Sequence, residues 1–371
     1  MKFTCEKALL QSAISISSRA VSPKSSISAL EGILVNATDE LRLTGYNLST
    51  GIRTVVPADV REGGSLVLSA HLFGDIIRRL PDDVVSVVTN GNMVNIKCGL
   101  SEFNIMGSDP EEFPELPMVE YEHIVTIKRS MLRSMITQTL FSVSTNESRP
   151  VHTGSLFEVS TDCTLNIVSV DGYRLALRRE KAEKVTGKED FSFVVPAAAL
   201  SEVEKICGES EDEAEIILGT RHVMFKAGDT MLVTRRLEGE FLDYRKALPT
   251  TYAIVMTADK RTLQNSIERV SLIITEKQRS PIRCLFEQDN MKVRVNTALG
   301  DASDECQMSG DGQGMEIGFN NKYILDALKA APASSVNLCL NGPVSPCIIT
   351  PSDGSENFVY MVLPVRLRAG Q

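Results

Sequence analysis

The chain is predicted to turn within Ser169-Val170-Asp171-Gly172-Tyr173-Arg174-Leu175-Ala176, a segment between two apolar runs with the composition of β-strands. The first run covers residues 165–168, and the second begins at Leu175. Asp-Gly between two such runs predicts a tight turn, because glycine adopts a positive φ without steric cost. The turn places two bulky polar side chains, Tyr173 and Arg174, directly after it. Taken alone, the pattern is typical of an ordinary surface hairpin.

The rest of the chain repeats one order of elements three times around this segment. The strand-like run Gly32–Val35 recurs as Gly154–Phe157, and the helical pattern of residues 72–80 recurs with identical spacing at 323–331. A repeat of about 125 residues is too long for a solenoid. We therefore expect an α+β fold of three similar domains, each with two helices packed on antiparallel sheets. The expected domain boundaries are 1–120, 121–250 and 251–371.

Composition excludes several classes of protein. The 371 residues are 43% hydrophobic, which is enough for packed cores, and no apolar run approaches the length of a membrane span. The N-terminal residues carry charges where a signal peptide needs an apolar stretch. Eight cysteines are scattered singly, a spacing that fits neither a zinc site nor a disulfide framework. We expect a reduced cytoplasmic protein with no membrane partner.

The charge is distributed unevenly along the chain. The total is −9, but the six predicted helical segments together carry +6, so the remainder carries −15. Lys and Arg are good helix formers and could simply solvate the outer faces. The alternative is a set of basic helices facing a common polyanion, held by its phosphates without sequence specificity. The absence of Trp disfavours a stacking platform for single strands, so duplex DNA fits better. The predicted segments are 6–20, 70–80, 128–142, 196–207, 259–271 and 320–330.

The sequence contains no pattern that predicts catalysis. There is no Gly-x-Ser-x-Gly elbow and no P-loop. The run Gly310–Gly314 superficially resembles a phosphate loop, but we expect a flexible hairpin there. No second carboxylate or base accompanies Asp171, which we expect to organise its turn. We predict no catalytic residue, no metal site and no cofactor. Four histidines lack partners at metal-ligand spacing: His71, His123, His152 and His222.

Four segments together with the triplication make the chain resemble the bacterial sliding clamps, the beta subunit of DNA polymerase III. The resemblance covers essentially the whole chain. It implies a non-catalytic processivity factor, in which two three-domain chains associate head to tail in a ring around duplex DNA. The segments that carry it are Val170–Ala176, Phe241–Arg245 with Leu248-Pro249, Met315–Asn320 with Tyr323, and Leu363–Leu367.

The resemblance also implies partners. The expected ones are double-stranded DNA of any sequence, the replicative polymerase, the clamp loader, and repair and translesion polymerases. The proteins would bind through short Leu/Phe-rich peptides in one groove. By motif, the residues of this candidate groove are His152, Val170, Gly172, Tyr173, Arg174, Leu175, Leu242, Lys246, Ala247, Asn320, Tyr323, Val344, Pro346, Met361, Leu363, Pro364, Val365 and Arg366.

The chain departs from the family pattern at several positions. Leu242 stands where proline is usual, His152 where an apolar residue is usual, and Gln278 replaces an aromatic residue of some members. The chain also continues past the usual Arg-Leu end with Arg368–Gln371.

The resemblance assigns two further surfaces. Expected DNA contacts are Lys24, Arg78, Arg133, Asn146 and Arg149. The dimer interface is expected to bring Leu272 and Ile273 of one chain against Ile76, Leu80 and Phe103 of another, although these residues could instead complete their own cores.

Two other functions stay open from the residues alone. One is an enzyme whose site is assembled across domains. The other is a repeat-built scaffold that binds proteins without encircling DNA.

Overall fold

The computed structural model describes residues 1–275, 280–355 and 357–367, so Gln278 and Arg368–Gln371 lie outside the described residues. Six α-helices occur within these ranges, and each overlaps one of the six predicted segments. The helix prediction is therefore confirmed. The helices, numbered in chain order, are α1 (Lys7–Ser17), α2 (Ala70–Arg79), α3 (Arg129–Leu140), α4 (Ala197–Cys207), α5 (Lys260–Ser271) and α6 (Asn321–Ala330).

The chain divides into two compact units. Unit 1 comprises Met1–Arg133, Ala182–Lys188 and Ser201–Arg236. It holds two antiparallel sheets. The first, in spatial order with strands numbered along the chain, is β5 (Asp59–Glu62), β1 (Lys2–Glu6), β7 (Val84–Asn90), β8 (Met93–Cys98) and β9 (Ser101–Met106). The second is β14 (Lys184–Val185), β10 (His123–Lys128), β16 (Glu213–Leu218), β17 (His222–Ala227), β18 (Thr230–Arg235), β4 (Thr50–Val56), β3 (Leu41–Tyr46), β2 (Gly32–Ala37) and β6 (Gly64–Ser69).

Unit 2 comprises Ser134–Lys181, Glu189–Leu200 and the chain from Leu237 onward. It is built on one antiparallel sheet of ten strands. In spatial order these are β15 (Phe191–Pro196), β11 (Gly154–Val159), β12 (Thr164–Val170), β13 (Arg174–Lys181), β24 (Phe358–Val362), β23 (Cys347–Pro351), β22 (Ser335–Leu340), β19 (Ile254–Asp259), β21 (Gly300–Phe319) and β20 (Ile282–Thr297).

Local signals explain where the helices begin and which face they bury. Three of them start at a side chain that accepts a hydrogen bond from a first-turn amide, which stabilises the helix start. These caps are Ser69 before α2, Asp259 before α5 and Asn320 before α6. The apolar stripes then pack inward, as with Leu263 and Ile267 of α5.

The repeat is visible in the order of elements. A strand leads directly into α1, α3 and α5. A second strand leads directly into α2 and α4, and a third copy leads into α6 through the capping residue Asn320. The fold is α+β, as predicted. The middle third of the chain contributes to both compact units, so the boundaries at 120/121 and 250/251 stay predictions.

The prediction of a flexible hairpin at Gly310–Gly314 is wrong. These residues lie inside β21, where the pairing with β20 shifts register. A Cβ at Gly312 would lie 2.4 Å from the carbonyl carbon of Phe286, so only glycine permits this close approach of the two strands.

Ile76 and Leu80 pack into the core of unit 1, with 6% and 4% of their surface exposed. Packing in the chain's own core is the alternative to a dimer contact that the sequence left open. It leaves little surface of either side chain exposed to a partner chain. Sequence periodicity did not separate the two roles, because both give the same helical stripe.

None of the helices within the described ranges has the length and apolar character needed to cross a bilayer. All eight cysteines are free, and seven of them are buried. Burial raises the pKa of Cys5 and Cys207 to about 11 and that of Cys284 to about 12. Cys163 is the partly exposed one.

Replacing Ile76 with Ala should destabilise the chain by about 2–5 kcal/mol, because it leaves a cavity in a packed core. Leu72 lies on the same helix but is 45% exposed, so Leu72→Ala is the matched control and should cost about 0.5 kcal/mol. Urea unfolding followed by circular dichroism compares the two. Equal midpoints for both variants would contradict the assignment of Ile76 to the core.

Candidate functional site

The turn between β12 and β13 is held by the side chain of Asp171. Its Oδ1 accepts hydrogen bonds from the amides of Tyr173 at 2.9 Å and Arg174 at 3.0 Å. Gly172 between them has a φ of 90°, which favours glycine. The prediction that Asp171 organises the turn is confirmed.

Arg174 joins this turn to helix α6. Its side chain is only 10% exposed, and it donates to Asp171 Oδ2 at 2.9 Å and to Asp326 Oδ2 at 2.6 Å. Its guanidinium also lies 4.5 Å from the centre of the Tyr323 ring. Burial of a charge is costly unless it is paired, and here two carboxylates pair it. Most of the Arg174 side chain is therefore occupied by contacts within its own chain.

The C-terminal segment runs beside the same turn. Strand β24 pairs with β13, and the amide of Leu363 then donates to the carbonyl of Tyr173 at 2.9 Å. The amide of Val365 donates to the carbonyl of Gly318 at 2.8 Å. Tyr173 itself is 61% exposed, and its ring stacks on that of Tyr323 at 6.1 Å. Two segments far apart in sequence thus form one wall of the candidate groove.

The floor of the candidate groove is apolar. Val170, Leu175 and Met361 are buried in one hydrophobic cluster, and Ala247 and Leu363 pack against it while partly exposed. The structure thus places these five predicted residues in a single apolar patch.

Segment 241–248 is anchored to β11 by Glu158. The hydroxyl of Tyr244 donates to Glu158 Oε2 at 2.6 Å, and Arg245 donates to both carboxylate oxygens at 2.9 and 2.8 Å. Burial, and then the bond to Glu158, raises the pKa of Tyr244. Three predicted groove residues lie on this anchored segment. Besides Ala247, they are Leu242, which is 45% exposed, and Lys246, which pairs with Asp243 at 3.0 Å. This pairing raises the pKa of Lys246.

His152 lies at the edge of this apolar patch. Its ring meets the ring of Phe241 edge-on at 5.3 Å, and Phe241 packs against the floor. The backbone is fixed, because its amide donates to Arg149 O and its carbonyl accepts from Ser144 N, both at 3.0 Å. Burial, and then the neighbouring Arg149 guanidinium, lowers the pKa of His152, so the imidazole is neutral at pH 7.

The remaining predicted groove residues are less closely connected. Val344, which is 69% exposed, and Pro346 lie between β22 and β23, and no hydrogen bond among the described residues joins them to the turn. Asn320 caps α6, and its carbonyl accepts from the amide of Tyr323 at 3.1 Å. Pro364 is half-buried, and Arg366 is exposed.

Sequence reasoning missed Asp326 and Glu158, the carboxylates that hold Arg174 and Arg245. Asp326 follows Tyr323 by three residues on a helix, a spacing that puts both side chains on one face. That spacing is the signal that could have found it. No comparable signal existed for Glu158.

Comparison with known proteins identifies the family. Models of the N-terminal, central and C-terminal domains of the DNA polymerase III beta subunit match residues 1–117, 126–243 and 245–366. The chain belongs to the DNA polymerase III beta subunit family. The beta sliding clamp of Staphylococcus aureus is 31% identical, with 99% of each sequence covered. That of Halalkalibacterium halodurans is 30% identical, covering 99% of this chain and 100% of the relative.

Solved structures of this family superpose closely. A putative DNA polymerase III beta subunit from Eubacterium rectale has a TM-score of 0.93 at 32% identity, covering 99% of this chain and 100% of that one. The DNA polymerase sliding clamp of Bacillus subtilis has a TM-score of 0.93 at 28% identity, with the same coverage.

The DNA contacts expected from the beta subunit family differ in their surroundings. Lys24 is exposed in unit 1 without an ion-pair partner among the described residues. Arg78 pairs with Asp75, and Arg133 donates to Glu209 at 2.7 Å. In unit 2, Asn146 and Arg149 are exposed, and Asn146 Oδ1 accepts from the amide of Ser148 at 3.0 Å. Two of the three basic side chains in unit 1 are thus already paired with acids.

The remaining dimer candidates of this chain differ in exposure. Leu272, directly after α5, is 82% exposed, and Ile273 is partly buried against the core of unit 2. Phe103 is 39% exposed on β9, an edge strand of its sheet. An edge strand with an exposed aromatic residue is suited to pairing with another chain.

Replacing Gly172 with Val should cost about 1–3 kcal/mol of stability, because a β-branched residue is strained at positive φ. The strain should also displace the turn and weaken the binding of a fluorescent Leu/Phe-rich peptide. Gly91→Val is the matched control, since Gly91 also has a positive φ with open space around it but lies in unit 1. Fluorescence anisotropy should show a loss for Gly172→Val alone. Wild-type affinity in that variant would mean that the peptide binds elsewhere.

Proposed function

We propose that this chain is a processivity clamp of the bacterial replicative DNA polymerase. Two copies would close head to tail into a ring around duplex DNA and slide along it. The observation that carries the proposal is the match of three beta subunit domains in order along the whole chain. The chain would act without catalysis and in the cytoplasm.

The proposed mechanism is topological. A closed ring cannot leave the duplex sideways, so a polymerase bound to it stays near the primer end. The gain is a high effective concentration of polymerase rather than a tighter bond to DNA. Contacts with phosphates would be independent of sequence and weakened by salt.

In this proposal the domains are 1–120, 121–250 and 251–371. The gaps between the family matches, at 117/126 and 243/245, lie close to these boundaries and support them.

The candidate groove would receive peptides of the replicative polymerase, the clamp loader, and repair and translesion polymerases. Its apolar patch beside the exposed Tyr173 supports this use. One Leu and one Phe anchor would bury about 200–300 Å², worth roughly 5–8 kcal/mol before ordering costs. Those costs reduce the affinity of a single peptide to about the micromolar range.

A scaffold that binds proteins without encircling DNA is the second candidate. The net charge of −9 favours it, as does the pairing of Arg78 and Arg133 with acidic side chains. Retention on circular DNA separates the two functions.

When loaded onto nicked circular DNA by a clamp loader and ATP, the protein should stay bound through gel filtration and be released when the circle is linearised. Lys24→Glu with Arg133→Glu should weaken retention, because each removes a phosphate contact, and should lower the slope of log affinity against log salt by about 1 per contact. The matched control is Arg61→Glu with Lys226→Glu, which makes the same charge change on exposed strand residues. Equal retention on circular and linear DNA would leave the scaffold as the function.

Replacing Leu272 and Ile273 with Ala should convert the dimer into a folded monomer of 40.6 kDa, because it removes apolar area from the proposed interface. Analytical ultracentrifugation measures the state directly. Val255→Ala is the control, since Val255 is 46% exposed on β19 and is not assigned to any interface. A double variant that dimerises as tightly as the wild type would place the interface elsewhere.

A further inference from the structure

His152 has an imidazole whose ring nitrogens have no hydrogen-bond or ion-pair partner within the described residues, although the side chain is half-buried. A neutral imidazole has one N–H donor and one acceptor. Neither ring nitrogen of His152 is among the fully buried side-chain atoms of the described residues that lack a partner, so water meets both in the free protein and a ligand can replace that water. Among the described residues, the His152 ring packs edge-on against that of Phe241. The polar edge of the ring is therefore available to a ligand of the candidate groove.

Arg149 is a second available donor at the same place. Its side chain is exposed, with no carboxylate paired to it in the described ranges, and it is close enough to lower the pKa of His152. The family resemblance assigned Arg149 to DNA, but its carbonyl also accepts the amide of His152 at 3.0 Å, which places Arg149 at the edge of the groove. A cation and an imidazole side by side, next to an apolar patch, are complementary to a carboxylate attached to an apolar anchor.

The other charged groups near Phe241 are already balanced or open to water. Asp243 pairs with Lys246, and Arg245 pairs with Glu158. Glu240 is exposed, and it does not contribute to the shift at His152. Burial, and then the charge of Arg149, therefore lowers the pKa of the imidazole.

We propose that His152 makes the groove select peptides that carry a carboxylate beside their Leu or Phe anchors, and that this preference strengthens as the imidazole takes up a proton. The inference rests on the proposed function, because it requires that peptides bind in this groove. It names the chemistry of the preferred peptide and a dependence on pH that an apolar side chain at this position would not give.

The direction of the pH dependence follows from the linkage between peptide binding and protonation of His152. In the free protein burial, and then Arg149, disfavours the imidazolium and lowers the pKa of His152, so the imidazole is neutral at pH 7. A bound carboxylate favours the imidazolium and raises the pKa again. Acidic peptides should therefore bind more tightly as the pH falls toward 5.5, with about a tenfold gain for each unit by which binding raises the pKa. A neutral peptide gains nothing from the proton.

The test compares two labelled, acetylated and amidated peptides, Glu-Leu-Ser-Leu-Phe-Glu and its twin with Gln in both flanking positions. Fluorescence anisotropy gives the ratio of the two dissociation constants at pH 8.0 and at pH 5.5. In the wild type, the preference for the Glu peptide should rise about fivefold to tenfold as the pH falls, for a pKa rise of up to one unit. His152→Leu and His152→Gln should both abolish this rise, and the Gln variant retains a polar side chain in case Leu disturbs the fold. His71→Gln, an exposed histidine of unit 1, should leave it unchanged.

Two outcomes would overturn the inference, and they are distinguishable. If both peptides bind the wild type but their ratio is the same at both pH values, His152 does not select carboxylates, while the groove and the proposed function stand. If neither peptide binds the wild type or either His152 variant at any pH, the groove itself is wrong and the inference falls with it.

Discussion

The compensated charge of Arg174 connects two parts of the candidate groove, the turn after β12 and helix α6. A guanidinium that is one-tenth exposed would be strongly unfavourable alone, but Asp171 and Asp326 each accept a bond from it. The two carboxylates come from different elements, the turn after β12 and helix α6, so one side chain fixes both. The carbonyl of Tyr173 in that turn then receives the C-terminal segment. The wall of the candidate groove that the turn and the C-terminal segment form therefore depends on satisfying this one buried cation.

Much of the fold could be predicted because its signals are local. Helix stripes and the Asp-Gly turn are set by residues within a few positions of one another, and each was found. The partners of Arg174 and Arg245 were not all found, because the bonds to Asp326 and Glu158 span 152 and 87 residues. No periodicity in the sequence relates positions so far apart.

One expectation failed, and the role of Ile76 stayed open, for a different physical reason. An apolar stripe shows that Ile76 must be buried, but not whether its own core or another chain buries it. Glycines at 310–314 indicated flexibility, whereas at Gly312 the small residue permits β21 to approach Phe286. In both cases the sequence pattern correctly showed that the type of residue is constrained. It did not show which tertiary contact imposes that constraint.

Several basic side chains of the helices, which the sequence shows only as excess positive charge, are paired with acidic side chains in the structure. The helices carry excess positive charge, yet Arg133, Arg269 and Lys329 each pair with a carboxylate. Paired cations attract phosphate more weakly than free ones, since an approaching duplex must compete with the existing partner. A protein that must travel along DNA benefits from contacts that are individually weak.

The buried thiols have a consequence for handling the protein. With pKa values of about 11 to 12, Cys5, Cys207 and Cys284 are almost entirely protonated at neutral pH, and only the thiolate is nucleophilic. Cys163 is the partly exposed cysteine. A thiol-reactive dye would therefore attach at Cys163 while the other seven stay unlabelled, which gives the native chain a single position for a fluorophore without any substitution.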